Sequence, residues 1–328
     1  MCLYMVDFTN SKLNEVGYAG VLINSTIHCI KRLSVGLIGL LLLVTTKAFA
    51  TVTYVADFDE SQWKLQSSVF SCSLTQEIPS YGKGVFFRRA GEKMIFFLTT
   101  PYSQQRKGQA SLVIEPPKWR PGSPARHMGF VDVVSGTRPF EVEPERASTM
   151  LASLNSGLMP MFTRKSWYQP ERPSVRVGLS AFDFEPVYRD FLGCISGLLP
   201  VNFDQVKRSV VFYESSGLYP EEKYYQLLDY IVMYVQADPS VNAIIIDGHT
   251  DDIGRRFKNR ELSRERSEHI TDYFIKAGIA EDLITTRYHG ERYPVVRNLG
   301  NDGRARNRRV TIRLERDEPF RPSNLDFF

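Results

Sequence analysis

The amino-acid sequence predicts an α+β protein whose two halves are built differently. Between Thr51 and about Pro200 the chain consists mainly of short β-rich runs broken by Gly and Pro. From about Val201 onward, strand-like runs alternate with helical ones. We therefore expect a β-rich, barrel-like or sandwich domain over residues 51–200 and a compact βαβαββ domain over residues 201–315, followed by a loosely ordered polar tail over residues 316–328.

Residues 1–50 have the pattern of an export signal and are set aside from the fold. A Lys-Arg pair precedes the apolar run Leu33 to Val44, and Ala48-Phe49-Ala50 is the small-x-small pattern that signal peptidase cuts. The run is shorter than the roughly 20 apolar residues that a spanning helix needs. We expect a soluble, exported chain that starts at Thr51. Met1 to about Ile30 lacks a charged signal start, which suggests that the true translation start lies further downstream.

Size and composition favour about two domains. The chain has 328 residues, of which 43% are hydrophobic, and this is enough to bury more than one core. The formal net charge of +4 fits attraction to a polyanionic surface but identifies none.

Two of the four cysteines lie in the predicted leader, which leaves Cys72 and Cys194. In an exported protein the simplest interpretation is that they pair, closing a loop worth about 4 to 5 kcal/mol on the chain-entropy estimate. Two unrelated buried thiols are the alternative. No cysteine directly follows Ala50, so the acylated-cysteine route to a lipid anchor is absent.

The first half is predicted to contain mostly strands, with two helices that each begin near a proline. The β-rich runs are Trp63–Leu74, Gly84–Arg89, Lys93–Thr99, Ala110–Glu115, Met159–Lys165 and Ser174–Ala181, and the helices are Pro144–Leu154 and Pro186–Ile195.

The second half alternates strands with helices. Asn242–Asp247 is a continuous apolar run, which is typical of a strand buried on both faces. The next helix is predicted over Asn259–Ala277, with Asn259 as its N-cap and Gly278 as its C-cap. The remaining predicted elements are strand Arg208–Tyr213, helix Pro220–Gln236, and strands Ile284–His289 and Arg308–Leu314.

Asp251 and Arg266 are the strongest candidates for a binding site. Asp251 follows the carboxyl end of the buried strand and Arg266 lies in the next helix, and in α/β folds such positions converge on one crevice. A carboxylate holds an ammonium group, and a guanidinium holds a carboxylate with two parallel hydrogen bonds. Together they would recognise a small zwitterion such as an amino-acid head group. The alternatives are a helix-capping Asp and an Arg in a surface ion pair.

The wider motif set resembles the OmpA-like peptidoglycan-binding domain over about Val201 to Leu314. The motifs are Gly248-His249-Thr250-Asp251 with Gly254, Asn259-x-x-Leu262-Ser263-x-x-Arg266, Gly278-Ile279, Tyr288-His289-Gly290-Glu291 with Pro294, and Asn298 ahead of Gly303-Arg304-Ala305-x-Asn307-Arg308-Arg309-Val310. The resemblance implies that Asp251 and Arg266 clamp the zwitterionic end of diaminopimelate in the peptide stem. It also implies that Thr250, Asn259 and Leu262 line the same pocket.

The whole layout also resembles a narrower group, the periplasmic T-ring proteins of sodium-driven polar flagellar motors. The shared features are a cleaved signal, a β-rich domain carrying Cys72, and Cys194 just ahead of the wall-binding module. The resemblance implies a periplasmic protein of the flagellar basal body with no cofactor. Its implied partners are peptidoglycan, the basal body, a MotX-like ring protein and the stator complex. A general OmpA-type wall anchor unrelated to motility is the alternative.

Two other functional classes fit the sequence less well. A wall hydrolase needs a metal cluster or an activated nucleophile, and His127, His249, His269 and His289 show no HExxH or paired-ligand spacing. A nucleic-acid binder is suggested by the arginines of 255–266 and 304–309. Export and the interleaved Glu261 and Glu265 argue against it.

Overall fold

The computed structural model describes residues 51–101, 107–120, 122, 124–164 and 174–317. The predicted signal segment, the end of the predicted strand at Lys165 and the tail after Asp317 lie outside the described residues. Within that part of the chain there are fourteen strands and six α-helices, which confirms the predicted α+β class.

The first half forms one curled ten-stranded sheet in the order β1-β10-β9-β6-β7-β8-β5-β4-β3-β2. Neighbouring strands are antiparallel except for β1, which pairs with β10 in parallel. The elements are β1 Val52–Tyr54, β2 Trp63–Ser67, β3 Ser71–Ile78, β4 Gly82–Arg89, β5 Ile95–Thr99, β6 Gly108–Glu115, β7 Arg126–Val133, β8 Phe140–Val142, α1 Pro144–Asn155, β9 Met159–Arg164, β10 Val175–Gly178 and α2 Phe184–Ser196.

Aromatic side chains fill the core of this sheet. Phe86, Phe96, Phe140 and Phe162 are fully buried, and both helices contribute apolar residues to the same cluster. The run predicted as one strand from Trp63 to Leu74 is a hairpin. Its turn forms because the Ser68 hydroxyl accepts hydrogen bonds from the next backbone N–H groups, which offers the chain an alternative to a straight ladder.

The second half forms a four-stranded sheet in the order β11-β14-β12-β13. Its elements are α3 Phe203–Val206, β11 Arg208–Phe212, the 3₁₀ turn Glu222–Tyr224, α4 Tyr225–Ala237, β12 Val241–His249, α5 Arg256–Lys276, the 3₁₀ turn Glu281–Leu283, β13 Ile284–Gly290, α6 Gly300–Asn307 and β14 Arg309–Arg316. The central position of β12 explains its apolar sequence, since Ile244 and Ile246 are fully buried. Helix α6 was not predicted because its sequence has almost no apolar residues to reveal a periodicity.

The prediction that Asn259 caps helix α5 is wrong. The helix begins at Arg256, and Asn259 lies inside it. Its buried side chain donates to the Asp251 carbonyl and the Glu291 carboxylate instead of accepting from the helix backbone. The helix end follows the prediction more closely. Gly278 has φ of +93° just after the cap, and its neighbour Ile279 donates to the Phe274 carbonyl, as in a Schellman motif.

The segment between the two sheets is fastened to the first sheet. The Leu199 N–H donates to the Val69 carbonyl, and the Asn202 amide donates to the Ala90 carbonyl. The predicted disulfide between Cys72 and Cys194 is present and joins β3 to α2. Among the described residues, none of the helices combines the length and the hydropathy that a membrane span requires.

Candidate functional site

The five predicted site residues lie on the wall of one cavity of about 340 Å³ in the second half of the chain. Thr250 and Asp251 follow the end of β12, whereas Asn259, Leu262 and Arg266 lie along α5. Convergence of the strand end and the following helix, inferred from topology alone, is therefore observed.

Two glycines allow this close approach. A Cβ atom on Gly248 would lie 2.2 Å from the Ser263 carbonyl oxygen, so only a glycine lets α5 pack this near β12. Gly290 has φ of +56°, and its N–H donates to the Ser263 hydroxyl while its carbonyl accepts from the Thr250 N–H. These contacts fix the position of the residue before Asp251 against the first turns of α5.

Arg266 is a fully buried cation. Its Nε donates to the Gly217 carbonyl at 2.7 Å and its Nη2 to the Glu214 carbonyl at 3.2 Å. The guanidinium carbon lies 4.7 Å from the centre of the Tyr213 ring. Burial lowers the pKa of Arg266 to about 10, an effect that Tyr213 and Asp251 oppose, so the side chain stays charged at neutral pH.

Two residues of the cavity wall each carry a buried polar atom that has no hydrogen-bond partner within the described residues. The atoms are Nη1 of Arg266 and the hydroxyl oxygen of Thr250. A buried polar group left unpaired costs free energy, about 1 to 3 kcal/mol in mutational series, and a ligand that pairs with it recovers that cost. The residues of the wall thus include a cation and a hydroxyl group that are not fully satisfied within the described residues.

Asp251 is the buried carboxylate of the site. One of its oxygens accepts from Arg308 Nη1 at 3.0 Å, and the other accepts from the Ile253 N–H at 3.2 Å. Each carboxylate oxygen has about two acceptor positions, so both oxygens can accept a further donor. Asn259 helps to position this loop through its hydrogen bond to the Asp251 carbonyl.

The sequence did not reveal every residue of the wall. Arg308 is not among the predicted site residues, and the structure shows it on the cavity wall, bonded to both Asp251 and the Tyr213 carbonyl. Its place directly after the Asn307 of the family motif was the available signal. The other wall residues that were not predicted as site residues are Ser215, Ser216, Ile253, Lys258, Glu261 and Glu265. Ser215 and Ser216 follow β11 and carry no sequence signal of their own.

His249 is a buried residue beside the site. Its ring stacks on His289 at 5.0 Å between centroids, and His289 pairs with Asp247. Burial lowers the pKa of His249 to about 4, and the positive charge of Arg309 adds to this effect, so the ring is neutral at neutral pH. Its Nδ1 has no hydrogen-bond partner among the described residues. Nowhere in the described ranges do three or more His, Cys, Asp or Glu side chains come together as a metal site would require.

Comparison with known protein families gives two matches, one for each of the two sheets. Residues 54–200 match the MotY N-terminal domain, and residues 212–308 match the OmpA family. The chain combines a MotY N-terminal domain with an OmpA-family domain.

Individual proteins with similar sequences or structures agree with these two matches. A sodium-type flagellar protein MotY from Vibrio parahaemolyticus is 29% identical over 286 residues, which cover 85% of this chain and 96% of that protein. Outer membrane protein A from Bordetella avium is 36% identical over 31% of this chain and 51% of its own length. The C-terminal domain of Helicobacter pylori MotB is similar at 22% identity, over 33% of this chain and 85% of that domain, with a TM-score of 0.31. At this TM-score the likeness supports no functional conclusion.

Proposed function

We propose that this protein is a non-enzymatic, periplasmic component of a sodium-driven flagellar motor that binds peptidoglycan through its OmpA-family domain. In this proposal the β-rich domain docks on the basal body as part of the T ring. The wall-bound domain then helps to anchor the stator, beside a MotX-like ring partner.

The observation that carries the wall-binding half is the presence of Asp251 and Arg266 on the wall of one cavity. Diaminopimelate in a peptide stem presents an amine and a carboxylate on the same carbon. Asp251 suits the amine, and the unpaired Nη1 of Arg266, with the Thr250 hydroxyl, suits the carboxylate. Asn259 and Leu262 complete the proposed pocket.

The motor half of the proposal is supported by the MotY N-terminal domain and by a relative that matches almost over its full length. An anchor of this kind does not need a tight single site. Several weak clamps on one ring facing a repeating polymer gain strength through effective concentration.

Co-sedimentation with sacculi, the purified peptidoglycan layer, tests the clamp. We expect Asp251→Asn and Arg266→Lys each to weaken binding at least about tenfold, since each loses a charge-assisted hydrogen bond. A matched pair on exposed positions, Asp282→Asn and Arg287→Lys, should stay within about twofold of the wild type. Thermal unfolding of each variant checks that it is folded. Unchanged sedimentation of folded Asp251 and Arg266 variants would contradict the clamp, and release of soluble muropeptides would contradict a non-enzymatic role.

Swimming tests the motor assignment separately. Deletion of the gene should abolish or strongly reduce swimming while flagellar filaments still assemble, and the protein should co-purify with isolated basal bodies. A general wall anchor predicts normal swimming in the deletion strain, so that result would leave the peptidoglycan clamp in place and remove the motor.

A further inference from the structure

An exposed basic face lies at the start of helix α5, beside the cavity. We define it by Ile253, Arg255, Arg256, Phe257 and Arg260. All five side chains are exposed, and Phe257 is 73% exposed and Ile253 59% exposed. Across the described ranges, none of the three arginines forms an ion pair, whereas the nearby acids are engaged elsewhere, Asp252 with Arg304 and Glu261 with Arg264.

Basic side chains at the N-terminus of helix α5 are electrostatically unfavourable. A helix N-terminus carries a partial positive charge, so basic side chains in the first turn are unfavourable by a few tenths of a kcal/mol each. Helix α5 begins at Arg256 with no acidic residue in its first turn and no side-chain cap. A large exposed aromatic among these charges adds a second unfavourable feature. In the part of the chain that the structure describes, these side chains form no hydrogen bond or ion pair, and Arg260 stacks over the Tyr288 ring at 5.3 Å.

The basic face is continuous with the cavity. Ile253 belongs to both, and Lys258 and Asn259, which lie between Phe257 and Arg260, line the cavity wall. A polymer that inserts one residue into the cavity would therefore have the basic face beside it.

We propose that the basic face is a second peptidoglycan contact that binds the free carboxylates of the polymer next to the stem residue held in the cavity. This inference rests on the proposed function of the cavity. The three arginines supply planar donors that match carboxylates. Phe257 supplies an aromatic face, whose negative charge density suits the C–H groups of a sugar ring.

The charge pattern favours this polymer over a uniform polyanion. The cavity wall carries the carboxylates of Glu261 and Glu265, which lie on α5 within two turns of the basic face. A nucleic acid or an anionic lipid surface would meet both signs and be repelled by one of them. A peptide-bearing polymer with ammonium and carboxylate groups close together complements both.

The test is sacculus binding by the full chain at two ionic strengths. The variant replaces Arg255, Arg256 and Arg260 with Gln, and the control makes the same change at three exposed basic residues elsewhere, Arg189, Arg208 and Lys276. At low salt we expect the variant to bind sacculi about tenfold more weakly and the control to stay within about twofold of the wild type. At about 1 M salt, where the screening length is about 3 Å, the variant and the wild type should converge.

The outcomes separate this inference from the clamp. Equal binding of the variant and the control at low salt would overturn the basic face as a wall contact. The inference would also be overturned if the triple variant lost binding to phosphatidylglycerol vesicles while its binding to sacculi was unchanged. That result would assign the basic face to a membrane. If the Arg266→Lys variant bound normally while the triple variant was weakened, the clamp would fail and the basic face would stand. If the wild type did not bind sacculi, both would fail.

Discussion

Arg266 is a buried charged residue whose hydrogen bonds are only partly satisfied by the protein. A fully buried guanidinium loses its hydration, and two backbone carbonyls together with the Tyr213 ring replace only part of it. The remaining donor has no partner within the described residues. The folded domain therefore keeps a buried charged group whose hydrogen bonds are incomplete. Such a group is expected at a preorganised binding site and not in a core that is optimised for stability.

The ion pair between Asp251 and Arg308 should be costly to break. Both side chains are largely buried, so Arg308→Met leaves a carboxylate without its main counter-charge. We expect the free energy of unfolding to fall by about 2 to 4 kcal/mol. Adding Asp251→Asn to that variant should cost less than the same change in the wild type, with a coupling of about 1 kcal/mol or more.

Urea denaturation of the four proteins of this cycle measures the coupling. The control is Arg313→Met, which removes an exposed arginine paired with Glu315 on the same strand, and it should cost below about 1 kcal/mol. Strictly additive changes at Asp251 and Arg308 would show that the observed pair contributes nothing.

At the scale of elements, the contact between β12 and α5 decides whether a site exists. Asp251 and Arg266 belong to different elements, and their separation depends on how closely those elements pack. Gly248 sets that distance because its missing side chain leaves room for the Ser263 carbonyl.

Gly248→Ala should therefore act on both stability and binding. The added methyl group must push α5 away from β12, which we expect to cost about 1 to 3 kcal/mol and to weaken sacculus binding. Gly193→Ala is the matched control, since it lies exposed in helix α2 with open space around its Cβ position, and it should be neutral or stabilising by up to about 1 kcal/mol. Chemical denaturation and sacculus binding measure the two effects. A Gly248→Ala protein as stable as the wild type would contradict this account of the packing.

At the scale of the whole molecule, the connecting segment ties the two halves together, and it begins just after a disulfide that lies within the first half. Cys72 and Cys194 are 122 residues apart in sequence, and Leu199 and Asn202 are hydrogen-bonded to the first sheet a few residues later. A second set of contacts joins Phe70 of the first half to Tyr234 of α4. The connection is thus part of the folded structure and not a free linker.

Removing the disulfide should lower the stability of the chain. For Cys72→Ala with Cys194→Ala we expect a loss of about 2 to 5 kcal/mol in the free energy of unfolding, since the unfolded chain regains the freedom of a long loop. Denaturation with and without a reducing agent is the measurement. The reductant should destabilise the wild type and leave the double variant unchanged, and identical curves for all four samples would contradict the prediction.

The domain boundaries and the site residues remain predictions, but the sequence by itself determined several features. It indicated the α+β class, the change of pattern near Val201, the pairing of Cys72 with Cys194 and the central strand β12. These were readable because periodicity, apolar runs and cysteine usage are local or compositional signals. Local patterns also placed Asp251 and Arg266 near the ends of consecutive elements.

Only the tertiary structure decided how those residues are satisfied. Arg266 is buried and bonds to two carbonyls after β11, and Asp251 pairs with Arg308. Each of these contacts joins residues more than 40 positions apart. The start of α5 at Arg256 was also hidden, because Asn259 bonds across to Glu291 and not to its own helix backbone. Local propensity carries no information about such partners, since hydrogen bonds and charge pairs form between elements that only packing brings together.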